Sequence, residues 1–276
     1  MSPNIHFSAL ATELLQSTTP LIISGILIGI SATLLSQLIH NDWKDFIALG
    51  PGGTPQTIPG YLKLKMLSIF AIRDPYKPAP IPADLSRRAY LSKVPKRSGP
   101  RPEVRGLAPH RQMDQRETGA AHARFRAHLQ WLAAAHPRAL RSATSCLEKH
   151  GIGLFAQAPL DVSGHCPAEI CHAHASDGSM HLALHPADAQ LVIRQGWGQR
   201  HPLGRGGWMR WFVPAGFMMV YAPRNDAELE VVKQIVAAAC WWIGGVDVNG
   251  DVGGVMPPPT EKAVECLDGP TLALKA

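Results

Sequence analysis

EICHAHASDGSMHLALHPADAQLVIRQGWGQRHPL, residues 169–203, is the stretch from which both the fold and a site are read. Asp177-Gly178 is a pair favoured in two-residue hairpin turns, so the segment is expected to fold there, with Ser176 opposite Ser179 and His174 opposite His181. Side chains alternate along a strand. His172, His174 and His181 therefore share one face, and Cys171, Ala173, Ala175, Met180, Leu182 and Leu184 share the other. One face reads as core and the other as a site. Imidazoles change charge near neutral pH and bind metals, so three on one face suit proton transfer, ligation or anion binding. A solvated or hydrogen-bonded sheet surface gives the same pattern. Glu169, His185, Arg200 and His201 fall in the same span.

Working outward, Pro186 opens a helix that stops before Gly196. Ile152 to Gln157, Met209 to Val213 and Gly216 to Tyr221 read as short strands, the last two around Pro214-Ala215-Gly216. Asn225, followed three residues later by Glu228, starts a final helix that ends at Gly244. Arg116 to His136 is helical, with Phe125, Leu129 and Leu132 at core spacing, and Arg138 to His150 reads as a second helix closed by Gly151. Hairpins in a nonrepeating order predict an α+β domain, an antiparallel sheet packed with helices.

Only 17% of the 276 residues are charged, and the deficit has a local cause. Pro20 to Ile39, PLIISGILIGISATLLSQLI, is uncharged and about as long as a bilayer is thick, which suits a single transmembrane helix or a signal peptide. Residues 1–19 lack Lys and Arg and contain Glu13, so a retained anchor is the expectation. Basic residues follow it, which places the C-terminal body in the cytoplasm as a single-pass protein. Five scattered cysteines and no Asn-x-Ser/Thr sequon agree with a reducing compartment. The net charge of +6 is spread through a Pro-rich connector and helices, pointing to a membrane lipid surface rather than nucleic acid.

The resulting organisation is an N-terminal segment 1–19, an anchor 20–39, a juxtamembrane and Pro/basic linker region 40–109, an α+β domain 110–244 and a loose tail 245–276. Within the linker region, Asp42 to Leu49 reads as a short helix. Tyr61 to Ile72 is a helix too short to span, either interfacial, re-entrant or buried in the domain.

No GxSxG elbow, Walker loop, dinucleotide fingerprint, HExxH helix or paired CxxC occurs, so serine hydrolysis, nucleotide hydrolysis and hydride transfer have no support. The irregular run Gly196 to Leu203 would place Trp197, Gln199, Arg200 and His201 beside the hairpin. There Trp197 would stack on a planar ligand and Arg200 would hold an oxyanion. Tyr221 and Arg224, where a strand runs into a helix N-terminus, complete the substrate-binding candidates.

GWGQRHPL (196–203), YAPRN (221–225), the EIxHxH…HLAL pattern (169–184) and GPGGTPQ…GY (50–61) together resemble the fungal luciferases and their non-luminous relatives, over nearly the whole chain. The resemblance implies a membrane-associated enzyme that uses O2 as co-substrate on a hispidin-type 3-hydroxy-2-pyrone or related aromatic metabolite. In that reaction oxygen adds to the pyrone, a cyclic peroxide loses CO2, and an excited product emits light. No organic cofactor or metal is implied. Between Gly204 and Met219 the chain departs from the luminous members, carrying Trp208, Trp211, Phe212 and Met218 where Gly and Pro prevail, so light emission stays open.

For such chemistry His174 or His181 would act as base, His172 and His201 as hydrogen-bonding partners, and Arg200 and Arg224 as anion holders. Two other readings stand beside it. One is a metal enzyme using His172, His174 and His181 as facial ligands. The other is a non-catalytic membrane module that binds a small aromatic metabolite.

Overall fold

The computed structural model describes residues 4–160 and 166–249, with side chains from residue 23 onward. The chain forms two compact units, Met1–Ala48 and Leu49–Ala276. The first is one helix, α1 (Asn4–Ala48), so Asp42 to Ala48 continues it instead of forming a separate element. Its stretch Ile23–Ala48 is long and apolar enough to cross a membrane, and Ile28, Leu34 and Leu38 are exposed along it. From residue 250 on, the expected loose tail lies outside the described residues.

The second unit opens with α2 (Ile58–Ser68), capped where the Thr57 hydroxyl accepts from the Gly60 amide. Tyr61, Leu64 and Leu67 are buried on one flank while Leu62 and Met66 are exposed on the other. Residues 74–103 contain no helix, as their prolines require. This segment is pinned instead: the Tyr90 and Leu91 amides donate to the Asp188 carboxylate, and the Arg97 amide donates to the Gln195 carbonyl. A short hairpin follows, β1 (Val104–Gly106) against β2 (His110–Gln112), and then α3 (Ala120–Ala135).

Next come β3 (Leu140–Thr144), β4 (Ile152–Ala156), β5 (Glu169–Ala173), β6 (Met180–Ala183), α4 (Pro186–Arg194), β7 (Gly198–Arg200), a 3₁₀ turn (Gly207–Trp211), β8 (Phe217–Val220) and α5 (Asp226–Gly244). The six long-range strands make one antiparallel sheet in the order β3-β4-β5-β6-β8-β7. Four expectations are corrected. Leu140–Thr144 is a strand rather than part of a helix, because it pairs along its whole length with β4. Gly198–Arg200 is the edge strand β7 rather than an irregular loop, because it finds β8 as partner. The Met209 region is a 3₁₀ turn rather than a strand. Cys146 and Cys166 form a disulfide, which removes the cysteine argument for a reducing compartment.

One sheet face is the core. Met180, Leu182, Met218 and Val220 meet Phe125, Leu129 and Leu132 of α3 and Val232, Ile235 and Val236 of α5. α5 starts where Asn225 accepts from the Glu228 amide and stops at Gly245, whose φ of 67° suits glycine. The opposite face carries the site.

Candidate active site

Register puts the site in one row. Gly153 pairs with His172, His172 with His181, His181 with Met219, and Met219 with Gln199. The β5–β6 hairpin is therefore slipped by two residues from the expected pairing, His172 and not His174 lying opposite His181. An even slip preserves which face each side chain takes. The cause is Asp177, whose side chain accepts from the Ser179 amide (2.8 Å), the Ser179 hydroxyl (2.6 Å) and the Gln112 amide (3.1 Å), opening a longer turn than Asp-Gly alone makes. Gly178 sits in that turn at φ 79°, and a Cβ there would stand 1.8 Å from the Glu117 carbonyl.

Five imidazoles meet on this face: His172, His174, His181 and His201, joined by His110 from β2. Ring centroids are 4.5 Å apart for His174 and His181, 5.0 Å for His181 and His201, and 4.9 Å for His110 and His201. His110 was not anticipated, since nothing near it in the chain marks it and its place comes from β2 packing over the sheet.

Buried acids fix the protons. Glu169 Oε1 accepts from His172 Nδ1 (2.6 Å) and from the Ser145 hydroxyl (2.7 Å), while Oε2 accepts from the Cys146 and Leu147 amides (2.8 and 3.0 Å). The Ser179 hydroxyl spends its one proton on Asp177, so at 2.9 Å it must accept from His174 Nδ1. In the neutral rings both Nε2 atoms are then bare, and both face His181 Nδ1, at 3.0 Å from His174 and 3.3 Å from His172. His181 Nδ1 must donate, its Nε2 must accept, and His110 Nδ1 at 3.1 Å must be the donor to it. The chain of bonds ends at His110 Nε2, an unprotonated nitrogen.

Burial, with its neighbours' charges adding to it, pushes the His110 imidazole down to about 3 and holds His181 and His201 well below the usual imidazole range. His174 is lowered too by burial, although the Asp177 carboxylate 3.7 Å from its Nδ1 opposes the effect. Burial alone would raise Glu169 and Asp177, but hydrogen bonds from His172 and Ser145, and from His174 and Ser179, hold both below the ordinary carboxylate range.

Beside the cluster lies a cavity of about 380 Å³, within the usual range for small-ligand sites. His110, His172, His181 and His201 form its floor with Phe217, and Leu64, Leu67, Leu203 and Phe212 supply apolar walls. Its charged groups are Lys63, Lys149 and Glu148, the last ion-paired with Arg111.

The remaining sequence candidates lie elsewhere. Trp197 is buried in the core, its indole N–H donating to the Pro95 carbonyl. Gln199 is on the site face but accepts from the Tyr221 hydroxyl (3.0 Å), and neither lines the cavity. Arg200 takes the opposite strand parity and donates to the Lys77 carbonyl. Arg224 is held by Glu228 and by the Ser98 carbonyl. His185 caps α4. The proposed guanidinium holders are thus corrected: Arg200 points to the other sheet face, Arg224 is tied to Glu228 and Ser98, and neither lines the cavity.

A luciferase domain family model matches residues 167–239, the segment from just before β5 into α5. The chain is 31% identical to the luciferase of Neonothopanus nambi over 256 residues, 87% of this chain and 94% of that one. It is also 31% identical to the luciferase of Armillaria ostoyae over 227 residues, 77% and 84% of the two chains. No solved structure matches significantly. Likeness at that level, running the length of those proteins and centred on the strands that assemble the imidazoles, makes this chain a member of the fungal luciferase family.

Proposed function

We propose that this protein is a membrane-anchored, luciferase-type oxygenase that oxidises a hispidin-type 3-hydroxy-2-pyrone, or a related enolisable aromatic metabolite, with O2. The single observation that carries this reading is the ordered chain from Asp177 and Ser179 through His174, His181 and His110. It presents a neutral imidazole nitrogen to a cavity of ligand size with apolar walls.

The hydroxyl proton of the pyrone passes to His110, and the enolate left behind is electron-rich enough to react with O2. An enolate beside the ring offsets the burial that holds the imidazole neutral, so imidazolium and enolate form together as an ion pair. His201, whose Nδ1 accepts from the Leu203 amide at 3.1 Å so that Nε2 carries the proton, orients the anion, with Lys63 and Lys149 as the nearby cations. No organic cofactor enters this scheme. α1 supplies the membrane anchor, and the basic residues that follow it favour a cytoplasmic body. Whether the product emits light depends on how Phe212, Trp211 and Phe217 shield it. Mixing the full-length protein in vesicles with 3-hydroxyhispidin and O2, while following pyrone absorbance, O2 uptake and photons, tests the reading. Absence of both pyrone loss and O2 uptake rejects that substrate.

One observation favours a second reading. His172 Nε2 and His174 Nε2 are both bare and both aim at one His181 proton, so the vertex has a lone pair to spare. Three imidazole nitrogens within 4.8 Å of one another, one backed by Glu169 and one by the Ser179 hydroxyl, match the ligand set of a divalent transition metal. Elemental analysis with activity measured before and after chelation separates the two: full turnover by metal-free protein removes the metal reading.

A further inference from the structure

The outer side of α2 is apolar where a water-facing helix would be polar. Ile58, Leu62, Met66 and Ile69 recur at spacings of four and three and are 66%, 54%, 67% and 77% exposed. The stripe continues off the helix: the Phe70 ring packs edge-on against Trp208 at 5.0 Å, and Trp208 against Phe212 at 6.0 Å. Trp211 beside them is 75% exposed. A contiguous exposed patch of this kind marks an interaction surface.

Charge selects the occupant. Residues 57–73 and 201–216 contain Lys63, Lys65, Arg73, Arg205 and Arg210 and no Asp or Glu. Exposed Trp flanked by Lys and Arg is the composition of a bilayer interface, where the rings sit at headgroup level and the cations meet anionic lipid. A second copy of the chain would set these cations against one another. The same chain carries a candidate membrane span that ends at Ala48, with nine residues between it and the start of α2. We propose that α2 and the 207–211 turn form a second, peripheral membrane-docking surface, Leu62, Met66, Ile69 and Trp211 entering the interface of an anionic bilayer.

The surface is also the back of the cavity wall, since Lys63, Leu64, Leu67, Trp211 and Phe212 line the cavity from the same two elements. Docking therefore puts the cavity's apolar wall at the lipid, which suits a substrate that partitions into membrane. The inference does not depend on the pyrone reading, because the surface binds lipid whatever the cavity takes.

The test uses the full chain with Cys266→Ser, and single substitutions Leu62→Cys, Met66→Cys and Trp211→Cys, each carrying an environment-sensitive dye. Glu230→Cys on α5, which packs on the other sheet face, is the control. The protein is reconstituted in phosphatidylcholine vesicles with and without phosphatidylserine, and lipids with quencher-bearing acyl chains are added. Dyes at 62, 66 and 211 are expected to shift to the blue and lose about half their intensity or more to the acyl quencher, more strongly with phosphatidylserine, while the dye at 230 does not. Dyes at 62, 66 and 211 that stay in water overturn the proposal. So does protection that follows protein density and not lipid, which would assign the surface to a second copy.

Discussion

His172 and Glu169 stand three residues apart on one strand, yet their Nδ1 and Oε1 atoms lie 2.6 Å apart on the same face. Strict alternation forbids this. The register shift that pairs Leu154 with Cys171 and Phe155 with Glu169 leaves Ile170 as an extra residue on β5, and this bulge returns Glu169 to the side of the histidines. Glu169 then serves as the acid that sets the His172 tautomer.

Glu169→Gln should keep the volume and lose that control. Turnover of the hydroxypyrone is expected to fall about 10–100-fold, KM changing little, as for other groups that orient a working histidine. Steady-state absorbance kinetics check it, and a variant within about twofold of the parent contradicts the assignment.

His110→Phe removes the end of the proton chain while filling its space. Loss of a positioned base costs about 10²–10⁴-fold in rate. Arg200→Met, by contrast, should leave turnover within about twofold, since Arg200 faces away from the cavity. The same assay on both variants ranks them, and the reverse order would restore the guanidinium as anion holder.

Stability should fall on mild acidification. Burial pushes His110 down to about 3 and His122 and His128 to about 4, against an ordinary value of 6.5 in the unfolded chain. The unfolded chain therefore binds more protons between about pH 4 and 6.5, so stability is full above that window and is lost as pH falls through it. His174, His181 and His201 shift in the same direction and add to the effect, whereas burial raises Asp188 and opposes it. Melting temperatures measured from pH 7.5 to 5 should drop steadily, and a flat profile would mean that these imidazoles are not buried neutral.

Gly178→Ala should be costly for two reasons, a positive φ and a Cβ driven against the Glu117 carbonyl. We expect a loss of about 2 kcal/mol or more in denaturant unfolding. A neutral result would show that the 174–179 turn relaxes freely, and with it the anchoring of His174.

Much of the site was legible because it is local. Alternation in EICHAHA and SMHLAL placed three histidines on one face and the apolar residues on the other, and the final helix was bounded by Asn225 and a glycine. The register was not legible, because it depends on the Asp177 carboxylate reaching the Gln112 amide from another hairpin. His110 was invisible for the same reason, its partner His181 lying 71 residues away. The motifs GWGQRHPL and YAPRN pointed to the family, but apart from His201 their long polar side chains tie the sheet edge to the 74–103 segment and to α5 instead of lining the cavity.

The row from Gly153 through His172, His181 and Met219 to Gln199 constrains how this protein can change over generations. Shortening or lengthening the 174–179 connection by one residue would rotate β6 half a turn, sending His181 into the oily interior and Leu182 out in its place. Length can vary there only in pairs, while the walls around the row stay free to drift, so new substrates should come from altered neighbours and not from a moved strand.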